Sequence, residues 1–198
     1  MTKLMEPLLS RTGVPYWPNE GEHRPLAPPR KIRSPIIYAL VFFAVFLGLQ
    51  WLWDTALGSP FGKFWIDVLT VRSAVALIDI LTPHTAAVAS DRTIAAPGGG
   101  LNVLPGCDGT DLLFLLTAAF VVCPIPWMSR LRGIAVSLAL VFVLNEIRIL
   151  ALFYAARADK SLFDLLHTIV APVVLITIAT LFFYVWVHRA FRRLAPPV

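Results

Sequence analysis

Four apolar runs, each near the length a helix needs to cross a lipid bilayer, recur along this 198-residue chain. About 20 apolar residues cover a hydrocarbon core of about 30 Å, and a backbone inside lipid has to satisfy its own hydrogen bonds. The first run is Ile36 to Trp53, flanked by Lys31 and Arg33 before it and by Asp54 after it. The second, Leu112 to Trp127, is shorter; Pro124 and Pro126 close it, and Arg130 and Arg132 follow. The third, Gly133 to Ala156, carries Asn145, Glu146 and Arg148 in its later half. The fourth, Thr168 to Val187, is closed by Arg189, Arg192 and Arg193. The pattern predicts an all-α integral membrane protein with about four transmembrane helices. Composition points the same way: 58% of residues are hydrophobic and 15% charged, where soluble domains are roughly half apolar and a quarter charged.

The basic residues orient the spans. With the N-terminus inside, four spans return the C-terminus inside, and eleven of the seventeen Lys and Arg residues then lie on the inner side. Five lie outside (Lys63, Arg72, Arg92, Arg157 and Lys160), and Arg148 stays within a span. The positive-inside rule therefore predicts a multi-pass membrane protein with both termini cytoplasmic. The net charge of +5 sits in flanks rather than in a basic stripe with interleaved aromatics. Membrane lipids are the expected partners, and nucleic acid is not. Residues 1–34, with "HRPLAPPRKIRSP", are expected to be a disordered, basic, Pro-rich cytoplasmic tail. They hold no apolar core, so no cleavable signal peptide is expected. Residues 35–190 form the membrane domain, and residues 191–198 a cytoplasmic C-terminal tail. No internal repeat is present, and oligomeric state is left open.

Two segments between the first and second runs read differently. "FWIDVLTVRSAVALIDIL" is helical in character, but Asp67, Arg72 and Asp79 interrupt it. As a span it would carry three charges, each costing about 2.5–3.5 kcal/mol at mid-membrane. An amphipathic helix over residues 61–81, on the outer face or packed on the bundle, is the preferred reading. After it, Val88, Thr93, Ile94 and Val103 surround Pro97-Gly98-Gly99-Gly100, which predicts a small hairpin or ordered loop leading into Cys107.

The reactive residues fall at one depth. Cys107 lies just outside the second span. Arg148 lies about 22 Å along the third span from Gly133, near the outer leaflet. His167 lies at the outer start of the fourth. Each has an ordinary reading: a small apolar filler for the thiol, an interfacial imidazole, a guanidinium holding helices together. Their convergence favours a site. Cys123 reads as the filler, about 20 Å from Cys107 along the second helix and too far to bridge.

A thiolate attacking a peptide carbonyl, a histidine moving protons and an arginine stabilising the oxyanion make an acyl-transfer site. The positive end of the second helix points at Cys107 and favours its thiolate. Gly106 and Gly109 allow backbone to approach a substrate. Asp108 and Asp111 oppose the thiolate and read as helix caps. Asn145 shares a helix face with Arg148 and is placed to hold the guanidinium, whereas Glu146 points about 100° away toward another helix or a polar cavity. No cofactor motif is visible. One outer cysteine and one nearby histidine do not complete a metal site, even with His84 added.

"GCDGT" at Gly106, "NEIRI" at Asn145 and "LLHTIVAP" at Leu165 resemble, in order and approximate spacing, the three signature blocks of the exosortase/archaeosortase family. The resemblance covers roughly residues 100–180. It implies that Cys107 is the nucleophile, Arg148 the stabilising cation and His167 the general acid/base of a sortase-like membrane transpeptidase. It also implies the substrates: exported proteins with a C-terminal sorting signal made of a motif often resembling Pro-Glu-Pro, a transmembrane helix and a basic tail. On that resemblance, such proteins are expected to be cleaved at the outer face of the bacterial inner membrane and passed to an envelope acceptor. Asp108 stands where relatives often carry a small hydroxyl residue, and larger relatives have more spans. Two other readings stay open: a related protease that only hydrolyses, and a non-enzymatic envelope or exopolysaccharide assembly or export subunit.

Overall fold

The computed structural model describes residues 34–104 and 106–193; the N-terminal tail and the last five residues lie outside them. Helix α1 is Pro35–Ala56. A helical segment follows, built from α2 (Pro60–Lys63), π-helical turns over Phe64–Arg72 and α3 (Ser73–Leu81). Three short strands come next: β1 (Val88–Ser90), β2 (Thr93–Ala95) and β3 (Leu101–Asn102). Helices α4 (Thr110–Val122) and α5 (Trp127–Ala158) follow. The chain ends in a helical run of α6 (Lys160–Leu165), π-helical turns over Leu166–Val170 and α7 (Ala171–Arg192).

The protein is mostly helical, and among the described residues three helices are long and apolar enough to cross a membrane: Pro35–Ala56, Trp127–Ala158 and Lys160–Arg192. The second predicted run is the exception. Its helix α4 has 13 residues, about 20 Å long, because Pro124 and Pro126 flank a non-helical turn that reverses the chain. Trp127 opens α5 rather than closing α4, so Arg130 and Arg132 lie on a helix and not in a loop. Arg130 donates Nε–H and Nη1–H to the carbonyls of Ile125 and Val121, each at 3.0 Å, and so satisfies one acceptor that the end of α4 leaves open and one in the turn after it. The last run begins at Lys160 instead of Thr168 and continues to Arg192, past the expected boundary at residue 190.

Exposed side chains suit lipid. Helix α1 turns Ile36, Leu40, Phe43, Leu47, Trp51 and Leu52 outward and buries only Trp53. An apolar surface of that extent is out of place in water and ordinary against acyl chains. Between the helices the packing is close. A Cβ on Gly133 would lie 2.7 Å from Phe120 Cε1, so only glycine lets α5 approach α4 there.

The charged segment packs on the bundle and does not run back along α1. Trp53, near the end of α1, meets Phe61, Trp65 and Phe114 edge-on. Ser73 Oγ donates to Glu146 Oε1 at 3.0 Å, and the Thr82 and Tyr154 hydroxyls are 2.8 Å apart. The segment therefore climbs alongside α5 from the start of α4 toward the last turns of α5. Ile66, Val71, Ala74, Val75 and Ile78 are buried, while Arg72 and Asp79 face outward. The strands form one antiparallel sheet in the order β1-β2-β3, a third strand beyond a simple hairpin. Ile94 pairs with Leu101, and both pack with Val103, Ile149, Leu152 and Phe153 in one core.

Candidate active site

The sheet delivers the thiol. Val103 N donates to Arg92 O at 2.8 Å, which holds the exit of β3. Cys107 N then donates to Leu104 O at 2.9 Å in a tight turn. The turn passes through Gly106 at φ +87° and Gly109 at φ +79°, backbone that glycine adopts without strain. Helix α4 starts at the next residue, so its positive end lies beside the half-buried thiol. A Cβ on Gly109 would lie 3.1 Å from Asn145 Cγ, so the turn sits directly on α5.

Arg148, one turn along α5, reaches the thiol: its Nη2–H donates to Cys107 Sγ at 3.8 Å. Its Nε–H is buried without a partner. His167 lies in the π-helical turns before α7. Pro172 follows five residues later; it cannot donate to the carbonyl four residues back, and the widened turns occur just where that bond is missing. The His167 ring stacks on Phe163, one turn earlier, with centroids 5.5 Å apart and planes 5° from parallel. Its buried Nδ1 has no partner.

Cys107 and His167 line the same cavity of about 190 Å³. Its other walls are strand β3 with Val103 and Leu104, helix α5 with Ile149 and Leu152, and Phe163 from α6. The structure thus joins Cys107 directly to Arg148 and through one cavity to His167. The lining is chiefly apolar, with the thiol and imidazole as its reactive groups.

The supporting residues divide. Asp108 is buried, and its Oδ1 accepts from the Thr110 hydroxyl at 2.9 Å and from Thr110 N at 3.5 Å. It ties the turn to Thr110, the first residue of α4, and Oδ2 has no partner. Burial pushes its carboxyl above the usual carboxylate range, against the opposing effect of the Thr110 bonds. Asp111 turns outward and accepts from Gln50 Nε2 at 2.8 Å. Gly106 is exposed at the turn. Asn145 does not hold Arg148: it packs beneath Gly109, and its Oδ1 has no partner. The 3-residue helical spacing is met, but the close Gly109 turn occupies the amide's side of α5. Glu146 meets another helix through Ser73.

Cys123 lies in a separate core with Phe120, Ile125 and Ala190. His84 is exposed in the turn Pro83–Thr85. Among the described residues no three His, Cys, Asp or Glu side chains gather as metal ligands. Sequence reasoning missed Phe163, the platform for His167; its position four residues before the histidine on one helix was the available signal. It also missed Ser73, whose contact with Glu146 is long-range and carries no local pattern.

A multi-pass helical membrane protein that sets a thiol beside a guanidinium, with an imidazole on the same cavity, is the class these observations define. A family model described as transmembrane exosortase matches residues 29–184, and the chain belongs to that family. No curated protein and no solved structure matches it.

Proposed function

We propose that this protein is a membrane cysteine transpeptidase that cleaves C-terminal sorting signals of exported proteins at the outer face of the bacterial inner membrane. The observation that carries the reading is the Arg148–Cys107 contact together with the cavity that Cys107 and His167 both line. Cys107, as the thiolate, attacks the carbonyl carbon of the scissile peptide. Arg148 donates to the oxyanion as the carbonyl π-bond opens. When the C–N bond breaks, His167 gives a proton to the leaving amine, and a thioester to Cys107 remains. An acceptor amine or hydroxyl then attacks the thioester, His167 takes its proton, and the C–S bond breaks to restore the Cys107 thiolate beside protonated His167.

A substrate with a motif, a helix and a basic tail fits this arrangement. Its helix lies against the bundle with the basic tail on the cytoplasmic side, which brings the motif to the level of Cys107. An acidic residue in the motif is a partner for the free Nε–H of Arg148. The apolar walls of the cavity limit water at the thioester and so favour transfer over hydrolysis. Gly106 leaves exposed backbone for the substrate chain, Gly109 seats the turn on α5, and Asp108 and Asn145 support the turn that presents the thiol.

The test is processing in a bacterial host of an exported protein with such a signal, comparing Cys107→Ala with Cys123→Ala at matched membrane levels. Loss only in Cys107→Ala is the expected outcome, and the mass of the new C-terminus then separates transfer from hydrolysis. Normal processing by Cys107→Ala would leave a non-enzymatic envelope or exopolysaccharide assembly subunit as the better reading.

A further inference from the structure

At the other end of the bundle, Arg132 of α5 and Arg189 and Arg193 at the end of the last helix line one hollow of about 300 Å³, with Trp186 and Met128. Arg132 precedes Arg148 by sixteen residues of one helix, about 24 Å, so this hollow is separate from the thiol site. All three arginines are exposed, and among the described residues no acidic side chain lines the hollow. The N-terminus of α5 opens beside it and adds positive potential. Trp186 is fixed there by its Nε1–H, which donates to Ser129 O at 3.1 Å.

A second hollow, of about 360 Å³, runs on from the first along the seam of α5 and α7. It is lined by Leu140, Ile178, Leu181, Phe182 and Val185, and it shares Trp186 and Arg189 with the arginine hollow. Three guanidinium groups at one end and an apolar groove along the helices form a complement to an amphiphile with an anionic head. From this pairing we infer that the seam of α5 and α7 is a binding site for an anionic phospholipid. The phosphate sits among Arg132, Arg189 and Arg193, whose forked donors match its oxygens. One acyl chain lies along Ile178 and Phe182. A zwitterionic lipid brings its own cation into the arginine cluster and is disfavoured. Free phosphate shares the head chemistry but leaves the groove empty.

The site is tested on the purified full chain in detergent, by native mass spectrometry with phosphatidylglycerol or phosphatidylcholine, with inorganic phosphate as competitor. One phosphatidylglycerol per chain is expected to be retained, at least about tenfold more tightly than phosphatidylcholine. Arg132→Gln and Arg189→Gln are each expected to weaken it about tenfold. Ile178→Trp, which fills the groove, is expected to weaken it while excess phosphate does not displace it. Equal retention of the two lipids by the unmodified protein would overturn the inference without reference to any variant. Displacement by phosphate, with Ile178→Trp silent, would identify a free-phosphate site instead. Neither outcome depends on the role of Cys107.

Discussion

Helix α4 has a cysteine at each end, and each end has an arginine from α5 nearby, yet the two ends differ in every feature that matters to a thiol. Cys107 is half-buried beside the helix N-terminus, touches a guanidinium with a donor to spare, and opens on a cavity shared with an imidazole. Cys123 is packed with Phe120, Ile125 and Ala190, and the donors of its nearest arginine go to the carbonyls of Val121 and Ile125. The difference teaches that a thiol and an arginine at close range do not make a site. Room for a substrate and unused donors do. Where the arginine closes a helix end, its donors are spent on the backbone; where it keeps an unused donor beside a cavity, the pair is open to a ligand.

Three substitutions probe that contrast. The largest effect is expected at Arg148→Lys. An ammonium keeps the charge but loses the planar fork, so processing should fall by about 10²–10³-fold, the size of a lost oxyanion donor. The readout is the initial rate of substrate cleavage in membranes, and a lysine variant with near-normal rate would reduce Arg148 to a generic cation. At the other end, Arg130→Gln removes the donors that close α4. A stability loss of about 1–3 kcal/mol is expected in detergent unfolding, with the rate per folded molecule unchanged. A loss of rate at full stability would break the division into a structural end and a chemical end.

Asp108→Asn is expected to give the smallest effect. Burial raises the carboxyl of Asp108 above the usual range, so the folded chain holds the proton more tightly than the unfolded chain. The contribution of this group is therefore fully present below the ordinary carboxylate range and is lost as pH climbs through the raised value. Asparagine keeps an acceptor for Thr110 without the buried charge. Its melting temperature should match the parent in acid and exceed it by a few degrees near neutrality. A difference that does not change with pH would mean that folding does not raise the Asp108 carboxyl.

Much of this was legible in the sequence where lengths and apolar runs decide the outcome. The first, third and last runs gave helices, and the family was readable from three short blocks around Cys107, Arg148 and His167. Helix ends were less legible. Pro124 and Pro126 marked a stop, but not that α4 would end at Val122 or that α5 would start at Trp127. A run count cannot see that α6 and α7 join through the wide turns at His167, because that geometry comes from the bond Pro172 cannot make. The Asn145 role failed for a related reason: helical spacing puts Asn145 and Arg148 on one face, but only tertiary packing reveals that Gly109 sits on top of the amide. Contacts such as Ser73 with Glu146 or Arg148 with Cys107 join distant parts of the chain, and no local pattern encodes them.

The most direct measurement is to trap the acyl-enzyme: purified protein is mixed with a sorting-signal substrate, quenched in acid, and mapped by peptide mass spectrometry before and after hydroxylamine. A hydroxylamine-sensitive adduct on the peptide holding Cys107, absent from Cys107→Ala and never on Cys123, is the expected result. Cleavage that proceeds with no adduct on Cys107, or an adduct that survives in Cys107→Ala, would contradict the assignment of the nucleophile.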